Sequence, residues 1–115
     1  MKKTRAECDL ATTCGVDFAF KRIGGKYKGR IIWHISQNEK LRYGELKRIL
    51  GDVTTKMLTQ SLRELEEDKL IHRKIFNQVP PKVEYTLTEN GKKLIPFISH
   101  LRDWACDMMF GEMGK

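Results

Sequence analysis

The chain has 115 residues, 40% apolar and 32% charged, a composition that fits one soluble globular domain with a single core. No run approaches the roughly 18 apolar residues of a membrane span. Cys8, Cys14 and Cys106 are too few and too odd in number for a disulfide scaffold. They form no Cys-x-x-Cys pair and His34, His72 and His100 are scattered, so neither a metal site nor a cofactor is expected. The net charge of +7 lies wholly in residues 1–88, with 18 Lys and Arg against 11 Asp and Glu, while residues 89–115 balance four against four. A basic body with a neutral end fits a polyanion partner. No apolar run follows Lys2 and Lys3, so no secretory signal is expected and the cytoplasm is the expected compartment.

Residues 1–13 lack periodicity and are expected to be flexible, leaving a single domain over 14–108. Val16, Ala19, Phe20 and Ile23 recur at helical spacing, and Gly24-Gly25 breaks that helix. A second helix is predicted from about Lys26 to Gln37, with Tyr27, Ile31 and Ile35 on one stripe. Leu41-Arg42-Tyr43 reads as a very short strand. The third helix runs over Gly44–Leu50 with Leu46, Ile49 and Leu50 inward, and Gly51 ends it. Thr54 or Thr55 can cap the fourth helix, whose buried stripe is Leu58, Leu62 and Leu65. Two strands follow, Ile71–Phe76 and Val83–Leu87, the second with Val83, Tyr85 and Leu87 alternating with Glu84 and Thr86. Pro80-Pro81 keep the tip between them out of any ladder. Thr88 caps a last helix over 89–107, bent near Pro96.

This order of elements is mainly α with a small β part (α+β). It is that of a winged helix-turn-helix, with the helix-turn-helix over 44–68, the wing over 70–88 and a C-terminal dimer helix over 89–107. Several runs are similar to those of the HxlR-type bacterial transcription regulators, winged-helix proteins of MarR-like architecture. They are Ile23-Gly24-Gly25-Lys26, Arg42-Tyr43-Gly44-Glu45-Leu46 and Leu58-Thr59-Gln60-Ser61-Leu62-Arg63-Glu64-Leu65-Glu66. Leu70-Ile71-His72-Arg73 and Val79–Gly91 continue the match, and Trp104 stands where the family has a tryptophan. The resemblance covers about residues 14–104. It departs at Tyr27, where the family usually has tryptophan, and at Gly15, where it usually has proline. It implies a sequence-specific regulator of transcription, a homodimer built from the terminal helices and, in some members, oxidant sensing at the position of Cys14.

The residues themselves support a DNA reader. The major groove admits an α-helix and presents a distinct donor and acceptor pattern for each base pair. On the outer face of the fourth helix, Lys56 and Arg63 can reach guanine edges or phosphates, Gln60 can pair with adenine, and Thr55 and Thr59 are short and adaptable. Arg73, Lys74 and Lys82 on the wing can follow a phosphate strand or enter the minor groove. Lys26, Lys28, Arg30 and Arg42 are candidate phosphate contacts.

Phe97, Leu101, Trp104 and Met108, joined by Phe18 and Phe20, make an apolar surface that a symmetry mate would cover. A twofold dimer would set two reading helices about 34 Å apart and select a near-palindromic operator. Repression is expected, because a compact dimer has no obvious domain for recruiting polymerase. Cys14 stands just ahead of a helix start, where the dipole favours an anion, and Asp17 opposes that effect. A small-molecule effector is not specified. No catalytic motif is present and an enzyme is not expected. The alternative is a winged helix that contacts only proteins, which would call for an apolar or acidic face on the fourth helix.

Overall fold

Apolar side chains one turn apart set the helices. In the computed structural model, which describes residues 14–111, α1 spans Gly15–Ile23 and α2 spans Lys28–Asn38. β1 covers Lys40–Arg42, α3 Tyr43–Leu50 and α4 Thr55–Glu67. The hairpin strands are β2 (Ile71–Phe76) and β3 (Lys82–Leu87), followed by α5 (Glu89–Lys93) and α6 (Ile95–Phe110). The expected flexible segment 1–13, with Cys8, lies outside the described residues.

Ile31, Ile32 and Ile35 of α2 interlock with Leu46 and Leu50 of α3 and with Leu58, Leu62 and Leu65 of α4. Leu41, Ile71, Tyr85 and Leu87 close this core from the sheet. Full burial of an aliphatic side chain is worth about 1.5–3 kcal/mol over exposure, so this contiguous cluster is the main source of the fold's stability. The sheet is antiparallel in the order β1-β3-β2. Its registers pair Leu41 with Tyr85, and run from Ile71 opposite Leu87 to Phe76 opposite Lys82. Of β2, only Ile71 is sunk in the core, whereas β3 buries Glu84, Tyr85 and Leu87. Past Ile71 the outer strand β2 is exposed as far as Ile75, which is 53% exposed.

Short polar devices fix the junctions. The Thr54 hydroxyl accepts from the Met57 N–H at 3.1 Å, and the Thr88 hydroxyl accepts from the Gly91 N–H at 3.0 Å. Both satisfy donors that a helix start leaves free. Gly51 ends α3 at φ +73°, a conformation that favours glycine. Gly91 has a different reason: a Cβ there would collide with the Leu70 carbonyl, so glycine lets α5 lie against the chain entering β2.

Several expectations are corrected. α2 begins at Lys28 rather than Lys26, because the turn through Gly25 (φ +85°) extends to Tyr27, whose ring is buried in the core. The short strand is Lys40–Arg42, and Tyr43 opens α3; the Glu45 carboxylate accepts from the Arg42 N–H at 2.9 Å and fixes that boundary. Ile49 is exposed rather than inward, since the eight-residue α3 presents only the narrow Leu46/Leu50 stripe to the core. The helix expected over 89–107 is two helices broken at Leu94. Pro96 has no N–H to continue the ladder and its ring crowds the carbonyl of Lys92. Glu84, which alternates with the apolar residues of its strand, is buried as well, because β3 is the central strand and Lys40 and Lys82 reach over its second face.

Candidate nucleic-acid interface

The turn at Gly51–Thr54 sets α4 across α3, and the Leu58/Leu62/Leu65 stripe turns the opposite face outward. Thr55, Lys56, Thr59, Gln60 and Arg63 are all exposed there. The two threonines are held in place. The Tyr43 hydroxyl donates to the Thr55 carbonyl at 3.1 Å and lies 3.1 Å from the Thr59 hydroxyl, while Lys47 Nζ donates to Thr55 Oγ1 at 2.7 Å. Gln60 Nε2 donates to Glu64 Oε2 at 3.2 Å. Lys56 and Arg63 make no hydrogen bond or ion pair among the described residues, so their charges remain open to an anion.

The wing is less uniform. Arg73 is exposed, and with Tyr43, Thr59, Arg63, Glu66 and Tyr85 it lines a groove of about 480 Å³ between α4 and the hairpin. Lys74 lies over the Phe76 ring at 5.0 Å. Lys82 lies over the same ring at 4.6 Å and pairs with Glu84 at 3.3 Å. Its charge is therefore partly compensated, whereas Arg73 has no ion pair among the described residues.

The candidate phosphate contacts divide. Lys26 Nζ pairs with Asp52 at 2.7 Å; Arg30 reaches the same carboxylate at 3.5 Å and donates to the Leu50 carbonyl at 3.1 Å. Hydrogen bonding to Lys26 holds the Asp52 carboxyl below its ordinary value, and the same bond raises the Lys26 ammonium. Lys28 Nζ, with only 13% of its side chain exposed, pairs with Glu64 at 3.3 Å. These three cations brace α2 against the helix-turn-helix. Arg42 differs: its guanidinium is exposed beside Lys40, Arg48 and Lys82 in a groove of about 570 Å³ at the start of α3. Sequence reasoning missed Tyr43 and Lys47 as clamps on α4 and Lys40 and Arg48 as neighbours of Arg42. The run Arg42–Leu46 carried the only signal for Tyr43.

The terminal helices behave otherwise. Neither α1 nor α6 contains a buried residue. Phe18, Phe20, Phe97, Leu101, Trp104 and Met108 are between 43% and 59% exposed. A groove of about 570 Å³ runs between α1, α2 and α6, walled by Phe20, Ile23, Trp33, Phe97 and Leu101. His34 on its edge is lowered from its ordinary value by burial and by the nearby Arg30. Cys14 is the half-buried N-cap residue of α1, and Cys106 is half-buried in α6. Among the described residues, no helix is long and apolar enough to cross a membrane.

A helix-turn-helix whose second helix turns Thr55, Lys56, Thr59, Gln60 and Arg63 outward, followed directly by a protruding hairpin, defines a winged-helix DNA-binding domain. The HxlR-like helix-turn-helix family model matches residues 22–112, and the chain belongs to that family. It is 47% identical over 92 residues to the uncharacterized HTH-type transcriptional regulator YdeP of Bacillus subtilis (strain 168), covering 80% of this chain and 71% of that one. Among solved structures it is similar to the redox regulator HypR in its reduced form, with a TM-score of 0.79 and 41% identity over 87% of this chain and 98% of that one. It is also similar to the reduced form of the transcriptional regulator YodB from B. subtilis, with a TM-score of 0.69 and 29% identity over 84% and 94% of the two chains. The chain is a DNA-binding transcription regulator with a MarR-like winged helix.

Proposed function

We propose that the protein is a cytoplasmic homodimeric repressor, without enzymatic activity, that binds a near-palindromic operator. The observation that carries this reading is the outer face of α4, where Lys56 and Arg63, unpaired among the described residues, stand beside Thr55, Thr59 and Gln60. In the reading, α4 enters the major groove and its five outer residues meet base edges and nearby phosphates. Arg73, with Lys74 and Lys82, follows the flanking backbone, and Arg42 takes a phosphate at the start of α3. Lys26 and Lys28 serve as braces rather than phosphate contacts, because Asp52 and Glu64 already hold them. Phe18, Phe20, Phe97, Leu101, Trp104 and Met108 meet the same residues of a second copy, in an isologous interface that sets the operator spacing.

The protein also responds to oxidants through Cys14. That residue caps the helix whose apolar face enters the dimer, so a new covalent bond there tilts one subunit on the other. Oxidation joins its sulfur to a second thiol, and two protons and two electrons pass to an oxidant such as diamide. HypR has been solved in oxidized and reduced forms, and YodB after diamide treatment, which makes such a response worth testing here.

The test is selection from a random duplex library, with and without diamide. A near-palindromic site, lost in Lys56→Ala and Arg63→Ala, is expected, as is an oxidant effect that disappears in Cys14→Ser. Salt-sensitive binding with no enriched sequence would overturn the specific-operator reading.

A further inference from the structure

Glu64 is a carboxylate beside the reading face of α4, where phosphate repulsion opposes it. It is held from two directions. Lys28 Nζ, reaching across from α2 with a nearly buried stem, pairs with Oε1 at 3.3 Å, and Gln60 Nε2 donates to Oε2 at 3.2 Å. The lysine neutralises the carboxylate, and the carboxylate grips the one amide on the reading face.

We infer that Glu64 is a positioning residue that fixes the orientation of the Gln60 amide, so that a preference for adenine over guanine in the operator depends on a group that touches no base. The inference rests on the reading above, in which α4 lies in the major groove. A free glutamine presents its amide either way round, at little cost. A carboxylate only accepts hydrogen bonds, so Glu64 excludes the flipped amide, whose oxygen would face it. What remains for DNA is Oε1 and the second N–H of Nε2. Adenine matches that pair, with an N6–H donor and an N7 acceptor side by side. Guanine offers two acceptors, N7 and O6, and would need both Nε2 hydrogens, one of which Glu64 already holds. Lys28 keeps the arrangement compatible with nearby phosphates, because the Lys28–Glu64 pair carries no net charge.

The test compares the operators selected by the wild type, Glu64→Gln, Gln60→Ala and the double variant. Glu64→Gln preserves shape but both donates and accepts, so either orientation of Gln60 is satisfied. The adenine-to-guanine preference at one base pair per half-site is expected to fall about fivefold or more in Glu64→Gln, within the discrimination a bidentate pair provides. Affinity for unrelated DNA should hold or rise, since a negative charge is gone. In the Gln60→Ala background, Glu64→Gln should add nothing. A second readout needs no DNA: the two Nε2 protons of Gln60 should lose much of their chemical-shift separation in Glu64→Gln. An unaltered preference with an intact operator would overturn this inference and leave the operator reading standing. An equal change in the Gln60→Ala background would overturn it too, by making Glu64 itself a base contact. No enriched site in the wild type would remove both.

Discussion

Helices α4 and α6 both carry long apolar stripes, yet α4 buries Leu58, Ser61, Leu62 and Leu65 whereas α6 buries nothing. The difference lies in what surrounds them. α4 packs against α1, α2 and β2, and its stripe joins Leu46 and Leu50 of α3 in one buried core, so it meets side chains from its own chain. On α6 only Ile95 and Ile98 pack against that core, while Phe97, Leu101, Trp104 and Met108 look outward beside an α1 that is equally uncovered. The reading half is thus complete within one chain. Among the described residues the terminal half holds more apolar surface than its neighbours cover, and a cluster of that kind fits the dimer interface proposed above.

Substitutions on the two sides should separate these halves. The largest effect belongs to Leu58→Ala, which empties a fully buried site and should cost about 2–5 kcal/mol in chemical denaturation. A loss much below that would mean the core is looser than its packing implies. Paired substitution of Leu101→Asp with Trp104→Asp should leave the helical signal of the body intact while abolishing concentration dependence in the melting temperature. Collapse of the whole fold would show that α6 stabilises its own chain instead.

Lys56→Ala and Arg63→Ala touch no packing. Each should weaken specific binding by about 1–3 kcal/mol with unchanged melting, measured by titration at fixed salt. Thr54→Ala should cost about 1 kcal/mol by removing the α4 cap. The smallest effect concerns Asp52. Its folded value is lowered by Lys26, so its contribution is complete above the ordinary carboxylate value and fades as pH falls through the lowered one. Thermal melts of wild type and Asp52→Asn should therefore differ at neutral pH and converge in acid. A constant difference across that range would remove the ion pair from the account.

Much of this was legible in the residues. The leucine stripe at spacings of four and three places α4; Thr88 announces its cap, and of the two candidates Thr54 and Thr55 it is Thr54 that caps α4. The outer residues of α4 are exposed where the spacing predicts. The ion pairs were less legible, because Lys26 meets Asp52 and Lys28 meets Glu64 only after the chain has folded back 26 and 36 residues. Sequence shows their charge and hides their partners. Alternation alone does not show that Glu84 is buried, because the sequence hides that β3 is the central strand. Pro96 signals a bend; whether that bend becomes a break depends on how α5 seats against Leu70.

The most direct test of the divided architecture is sedimentation of the wild type and of Leu101→Asp/Trp104→Asp over a dilution series. A wild-type particle of two chains is expected, and a variant of one chain, still folded and still binding an isolated half-site weakly. A wild type that sediments as one chain at all concentrations, with its terminal helices uncovered, would contradict that architecture.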